Sequence, residues 1–136
     1  MSELWMLDIE NKVFSLIKAK TRPVLVKKYP GINYTTSDIN SSKNPKFPCV
    51  YIRALSGSEA GSDNEGNTVN SVLSNIQIEV YSNVSQSDNK AVMATIIEAM
   101  KAMLYTVRGT PYNDNMDSVY RMIARFRRNV GSDDLF

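Results

Sequence analysis

At 136 residues, with 43% hydrophobic and 22% charged residues, the chain is long enough for one packed domain and too short for two comfortable ones. Its formal net charge is +2, and no apolar run approaches the roughly 20 residues of a membrane-spanning helix, so a membrane protein is not expected. The sequence contains no histidine, which removes every Cys/His zinc set, His-based triad and imidazole general base.

The N-terminal "MSELWMLDIENK" lacks the basic and apolar regions of a secretory signal, so synthesis in the cytoplasm is the expectation. Projected at about 100° per residue, Trp5, Met6, Ile9, Val13, Leu16 and Ile17 share one face, opposite Asp8, Asn11, Lys12, Ser15 and Lys18. This predicts an amphipathic helix from Glu3 to Ala19, capped by Ser2 and closed by Thr21-Arg22-Pro23, because a residue before proline is pushed out of the helical region. The following "YPGINYTTSDINSSKNPKF" has two prolines and many Ser, Thr and Asn residues, and reads as loop around a short strand near Ile32 to Thr36.

Two firm strands follow, "CVYIRALS" and "SVLSNIQIEVYS". In the second, Val72, Ser74, Ile76, Ile78 and Val80 alternate with Leu73, Asn75, Gln77, Glu79 and Tyr81, the pattern of a half-buried strand. Cys49 is the only cysteine; within "FPCVYI" it is expected as buried filler that cannot form an intramolecular disulfide. Between the strands, residues 57–70, "GSEAGSDNEGNTVN", carry Glu59, Asp63 and Glu65 with no lysine or arginine, and read as a long, flexible acidic loop. Its "DNEGN" misses the EF-hand register, since Gly61 stands where that motif needs aspartate, so no metal is expected. A loop this long is either an idle hairpin tip or a partner contact.

A second helix, capped by Ser85 or Ser87, is predicted through "NKAVMATIIEAMKAMLY" to Tyr105. Val92, Met93, Ile96, Ile97, Ala99, Met100, Met103 and Leu104 cover almost half its circumference, more than one sheet face can bury, and the methionines, Met93 and Met100 among them, suit either flexible core packing or an adaptable interface, with core packing the plainer explanation. "RGTPYNDNMDS" reads as loop. In the last element, "SVYRMIARFRRNV", a period of two places Tyr120, Met122, Ala124 and Phe126 on one side and Arg121, Ile123, Arg125 and Arg127 on the other, whereas a helix would scatter the apolar residues. This is a strand with an outward arginine row, facing solvent, a partner or a lumen; charge guarding a free sheet edge is the plainer explanation.

The order α-β-β-β-α-β over a single domain, residues 1–136, predicts an α+β fold: an antiparallel sheet with two helices on one face. No G-x-x-x-x-G-K-[ST], G-x-G-x-x-G or G-x-S-x-G motif is present, so no enzyme, catalytic residue or cofactor is expected. A double-stranded-RNA-binding domain shares the first five elements, but its phosphate-gripping lysine pair is reduced to Lys90 and the last strand is surplus.

From Phe47 onward the chain resembles the tail terminator (tail completion) proteins of bacteriophages and phage-tail-like particles. The resemblance lies in "FPCVYI" opening a strand, the acidic hairpin loop, "NIQIEVYSN" leading into a helix, and "NMDSVYRMIARFRRNV" after "TPYN". It implies a structural virion protein, assembled in the host bacterial cytoplasm, that caps the tail tube as a ring, a hexamer by family habit. Such a ring stops tube elongation and offers a surface for head-tail joining. The implied partners are other copies of the chain, the tail tube protein, sheath and neck or head-completion proteins, with DNA able to pass through the ring and no membrane. A head-completion or neck adaptor of the same particle is the alternative. Interface candidates, on physical grounds alone, are Arg121, Arg125, Arg127, Glu59, Asp63, Glu65, Met93 and Met100.

Overall fold

The computed structural model describes residues 8–36, 46–62, 69–115, 119–131, 134 and 136, with backbone alone at 56–62 and 69–70. Helix α1 spans Ile9–Leu25. The expected start at Glu3, the Ser2 cap, Trp5 and Met6 lie outside the described residues. Ile9, Val13, Ile17, Thr21 and Leu25, four residues apart, form its buried stripe.

The expected stop before Pro23 is overturned, since the helix runs through it to Leu25. An interior proline costs about 3 kcal/mol. Here Pro23 is on the exposed side, so the Ala19 carbonyl that loses its helical donor is open to water. Beyond it the last turn is held by Val26 N–H donating to Arg22 O at 2.8 Å and by burial of Leu25, worth about 2 kcal/mol. On the inner side the Thr21 hydroxyl donates to Ile17 O at 2.7 Å and bonds the Tyr34 hydroxyl, tying the helix to the first strand.

That strand, β1 (Asn33–Thr35), falls where the sequence predicts it. It runs parallel to β2 (Cys49–Ser62), so the sheet is mixed, and the antiparallel part is formed by β2, β3 (Val69–Ser82) and β6 (Tyr120–Gly131). The expected loop at 57–70 is mostly strand: β2 and β3 continue as a paired hairpin to Ser62↔Val69, leaving 63–68 between them. Register shifts after Leu55, Glu59 and Gly61 interrupt the ladder along this extension.

Helix α2 (Gln86–Ala102) starts at Ser85, whose Oγ accepts from Asp88 N–H at 3.3 Å. It ends before the expected Tyr105, in a Schellman turn: Tyr105 N–H donates to Met100 O at 3.0 Å and Leu104 N–H to Lys101 O at 2.9 Å. Leu104 occupies the left-handed position usually held by glycine, at φ 66°.

Both helices lie on one face of the sheet and share a single core with Val50, Ile52, Ile76, Ile78, Val80, Met122, Ala124 and Phe126. This is an α+β fold. Met93 and Met100 are 1% and 0% exposed within that core, so of the two readings core packing holds and the interface candidacy is corrected. Most of the apolar arc of α2 is buried in the same way, on β3 and β6 with one flank and against α1 with the other, while Leu104 at its end is exposed.

Within the segment expected as loop, a short strand β5 (Tyr112–Asn113) pairs with β6, as does β4 (Thr106–Val107) just before it. The sheet order is β1-β2-β3-β6-β4, with β5 alongside β4 on the outer flank of β6. The strand that is surplus to an RNA-binding order is therefore interior, and its arginines do not guard a free edge.

Candidate interaction surface

The face of the sheet turned away from the helices is built from alternate residues of β2, β3 and β6. Period-two geometry presents Tyr51 and Arg53 from β2, Asn75, Gln77, Glu79 and Tyr81 from β3, and Arg121, Ile123, Arg125 and Arg127 from β6. The register sets Tyr81 opposite Arg121, Gln77 opposite Arg125 and Asn75 opposite Arg127. Arg121, Arg125 and Arg127 are thus brought together on one surface, as expected, but they do not project freely. Tyr120, expected in the core, is 36% exposed at the start of the strand.

Glu79 is the centre of the surface and only 4% exposed. Its Oε1 accepts from the Tyr81 hydroxyl at 2.7 Å and from Arg121 Nη1 at 3.2 Å; its Oε2 accepts from Gln77 Nε2 at 3.0 Å, with Arg53 Nε at 3.9 Å. Burial, reinforced by the bond to Glu79, raises the Tyr81 pKa, so the phenol remains a neutral donor. Arg121 is also paired with the Asp114 carboxylate and donates from Nε to Asp114 O at 3.1 Å. Two carboxylates therefore neutralise it.

Arg125 and Arg127 are held differently. Arg125 Nε donates to Gln77 Oε1 at 3.0 Å and Arg127 Nε to Asn75 Oδ1 at 3.0 Å. Amides orient these guanidiniums without cancelling their charge. In each, both Nη groups lack a protein partner among the described residues, leaving the fork that grips a carboxylate or phosphate in two-point fashion unused. Gln77 joins the two halves, giving its oxygen to Arg125 and its amino group to Glu79. A hollow of about 330 Å³ lies over Gln77 and Glu79, lined by Tyr51, Arg53, Tyr112, Asp114, Arg121 and Arg125, with Arg127 and Asn75 outside its lining.

The fourth arginine of the basic stretch is on the other side. Arg128 is 7% exposed, donates from Nη1 to Met103 O at 2.8 Å and stacks 4.4 Å from the Phe136 ring. A cation on the C-terminal carbonyls of α2 is favourable there. Cys49 is buried at 2% exposure, as expected, and burial pushes its thiol up to about 11, against a weaker opposing contact from Asn33. Glu59 lies in β2 opposite Val72 with its side chain outside the described residues, and Asp63 and Glu65 are outside them altogether.

No protein-family model and no curated protein matches the chain. A solved structure does. Its fold is found in a virion. The matching chain comes from a structure described as the virion of a native gene transfer agent particle, and the two superpose with a TM-score of 0.54. The match covers 87% of this chain and 93% of that one at 12% sequence identity, a likeness of fold.

Sequence reasoning missed Glu79, Gln77, Asn75, Tyr81, Asp114 and Arg53 as parts of this surface. The alternation in "NIQIEVYS" did place Asn75, Gln77, Glu79 and Tyr81 on one side. The missing signal was the register that sets an amide, rather than a carboxylate, opposite Arg125 and Arg127.

Proposed function

We propose that this chain is a structural component of a phage-like particle, without enzymatic activity, that caps the end of the tail tube as a ring. The observation that carries this reading is the fold correspondence with a virion chain over nearly the full length of both molecules. A pair of arginines oriented by amides, with no carboxylate paired to them among the described residues, supports binding as the use of this sheet face. A terminator acts sterically: several identical subunits engage the symmetric end of the tube together, which multiplies affinity and blocks further addition.

The test is a particle-producing strain lacking this chain, imaged by electron microscopy. Tail tubes of uncontrolled length without attached heads are expected, and resupplying the chain should restore uniform joined tails. Normal tails in its absence would overturn the proposal. Tubes of correct length beside detached, leaking heads would assign the chain to the neck instead.

A further inference from the structure

We propose that Arg108, Arg125 and Arg127 form a row on the outer sheet face that grips the phosphate backbone of a nucleic-acid duplex. The inference deepens the particle reading above and rests on it only in taking that duplex to be the particle's DNA. The β4–β6 register pairs Thr106 with Arg127 and Val107 with Phe126, and Arg108 N–H continues the ladder by donating to Arg125 O at 2.8 Å. Arg108 therefore stands opposite Arg125 and on the same face, since side chains alternate along a strand. Directly opposed side chains are about 5 Å apart at Cβ, and residues two apart along a strand, as Arg125 and Arg127 are, lie about 7 Å apart. Three cations thus share one small patch.

No carboxylate pairs with any of the three among the described residues. Like charges set directly opposite each other destabilise a sheet, so the fold gains nothing from this arrangement by itself. The same strand shows the alternative at Arg121, which Glu79 and Asp114 neutralise. Arg125 and Arg127 are instead held at Nε by Gln77 and Asn75, which aims their Nη groups, and Arg108 is exposed. Arg108 and Arg127 lie outside the lining of the hollow at Glu79, on the open sheet face, where a ligand need not be small. The side chains beside the row in register are polar: Thr106, Asn75 and Gln77. A protein partner needs an apolar patch at the centre of its contact, whereas a nucleic-acid contact is polar and positively charged, so the row fits phosphate. Each guanidinium offers a planar fork to one phosphate, and separations of about 5 to 7 Å let long arginine side chains reach successive phosphates of one strand. Contacts of this kind read no base sequence, which suits a component that meets whatever DNA the particle holds.

The test measures binding of the full-length chain to a short, mixed-sequence DNA duplex by fluorescence anisotropy across a salt series. Three phosphate contacts predict a slope of about −2.7 in log affinity against log salt, or about a 40-fold loss between about 50 and 200 mM. Arg108→Gln, Arg125→Gln and Arg127→Gln together should remove that slope. Arg108→Gln alone changes a side chain with no protein partner among the described residues, so it should stay folded by circular dichroism and reduce the slope by about 1; it decides the matter if the triple variant does not fold. Lys18→Gln, Lys20→Gln and Arg22→Gln remove the same charge from the exposed side of α1 and should leave affinity within about twofold. Absence of duplex binding by the wild type at low salt, an unchanged slope in Arg108→Gln, or an equal loss in the α1 variant would overturn the inference. Retention of poly-glutamate that the arginine variants lose, without retention of duplex, would assign the row to an acidic protein and overturn it as well. Tail length in the strain lacking the chain is independent of these measurements, so the two readings fail separately.

Discussion

Replacing Glu79 with glutamine changes one oxygen to an amino group at the centre of the sheet surface. The wild-type carboxylate accepts from three donors, the Tyr81 hydroxyl at 2.7 Å, Arg121 Nη1 at 3.2 Å and Gln77 Nε2 at 3.0 Å. A carboxamide has one accepting oxygen, so its amino group must face a donor. The least costly relief is to flip the Gln77 amide, which turns that amino group toward Arg125 Nε and replaces one clash with another. One charge-assisted hydrogen bond is lost, about 1.5–3 kcal/mol, and a buried ion pair loses its anion, about 3–5 kcal/mol when no water can enter. The Arg121 side chain is 25% exposed and keeps Asp114, so the lower end applies, and the net cost is about 3 kcal/mol. For a domain of this size that lowers Tm by about 10 °C. Urea and thermal unfolding followed by circular dichroism measure it. Adding Gln77→Glu to Glu79→Gln exchanges acid and amide along the strand and should recover at least about 1 kcal/mol through coupling of the neighbouring sites. A single-variant cost below about 1 kcal/mol, or purely additive effects in the pair, would refute the account of a buried, charged and shared network.

Two further outcomes follow from local structure. Leu104 sits at φ 66° with 70% exposure, and the left-handed region costs a branched residue about 1–2 kcal/mol, so Leu104→Gly should raise stability by about 0.5–1 kcal/mol after the entropy of glycine in the unfolded chain is subtracted; a fall in Tm would contradict it. Cys49, its thiol pushed up to about 11 by burial, and Tyr34, Tyr81 and Tyr105, each raised first by burial, stay neutral when folded while the unfolded chain ionises first. Stability is therefore complete below the ordinary thiol value of 9.0 and declines as pH rises toward 11. Cys49 accounts for about 2–3 kcal/mol of that decline, so Cys49→Ala should flatten the urea midpoint's dependence on pH across the interval, and a midpoint constant from pH 8 to 11 in the wild type would refute the linkage.

Local pattern was enough to read much of this protein from its sequence. The 3.6-residue period marked the α1 stripe through Ile9, Val13 and Ile17, and a period of two separated Ile76, Ile78 and Val80 from Gln77, Glu79 and Tyr81. The same rule turned Arg121, Arg125 and Arg127 to one face, because side-chain direction along a strand depends only on neighbouring residues. What crossed between elements was settled by tertiary structure. Pro23 looked like a helix stop because its local cost is certain, while the compensating burial of Leu25 and the Thr21 bond to Tyr34 depend on a core assembled from distant strands. The broad apolar arc of α2 suggested a second subunit because nothing local said that α1 would cover its flank. The polar side of β3 was expected to be wet; instead Gln77 and Glu79 are 4% exposed, because β2 and β6 lay their arginines over it. Register decided the rest. Setting Gln77 against Arg125 and Asn75 against Arg127 is a choice among alignments of two strands some fifty residues apart, made by the whole sheet closing over one core, and it is this alignment that aims both arginines with amides rather than carboxylates opposite them.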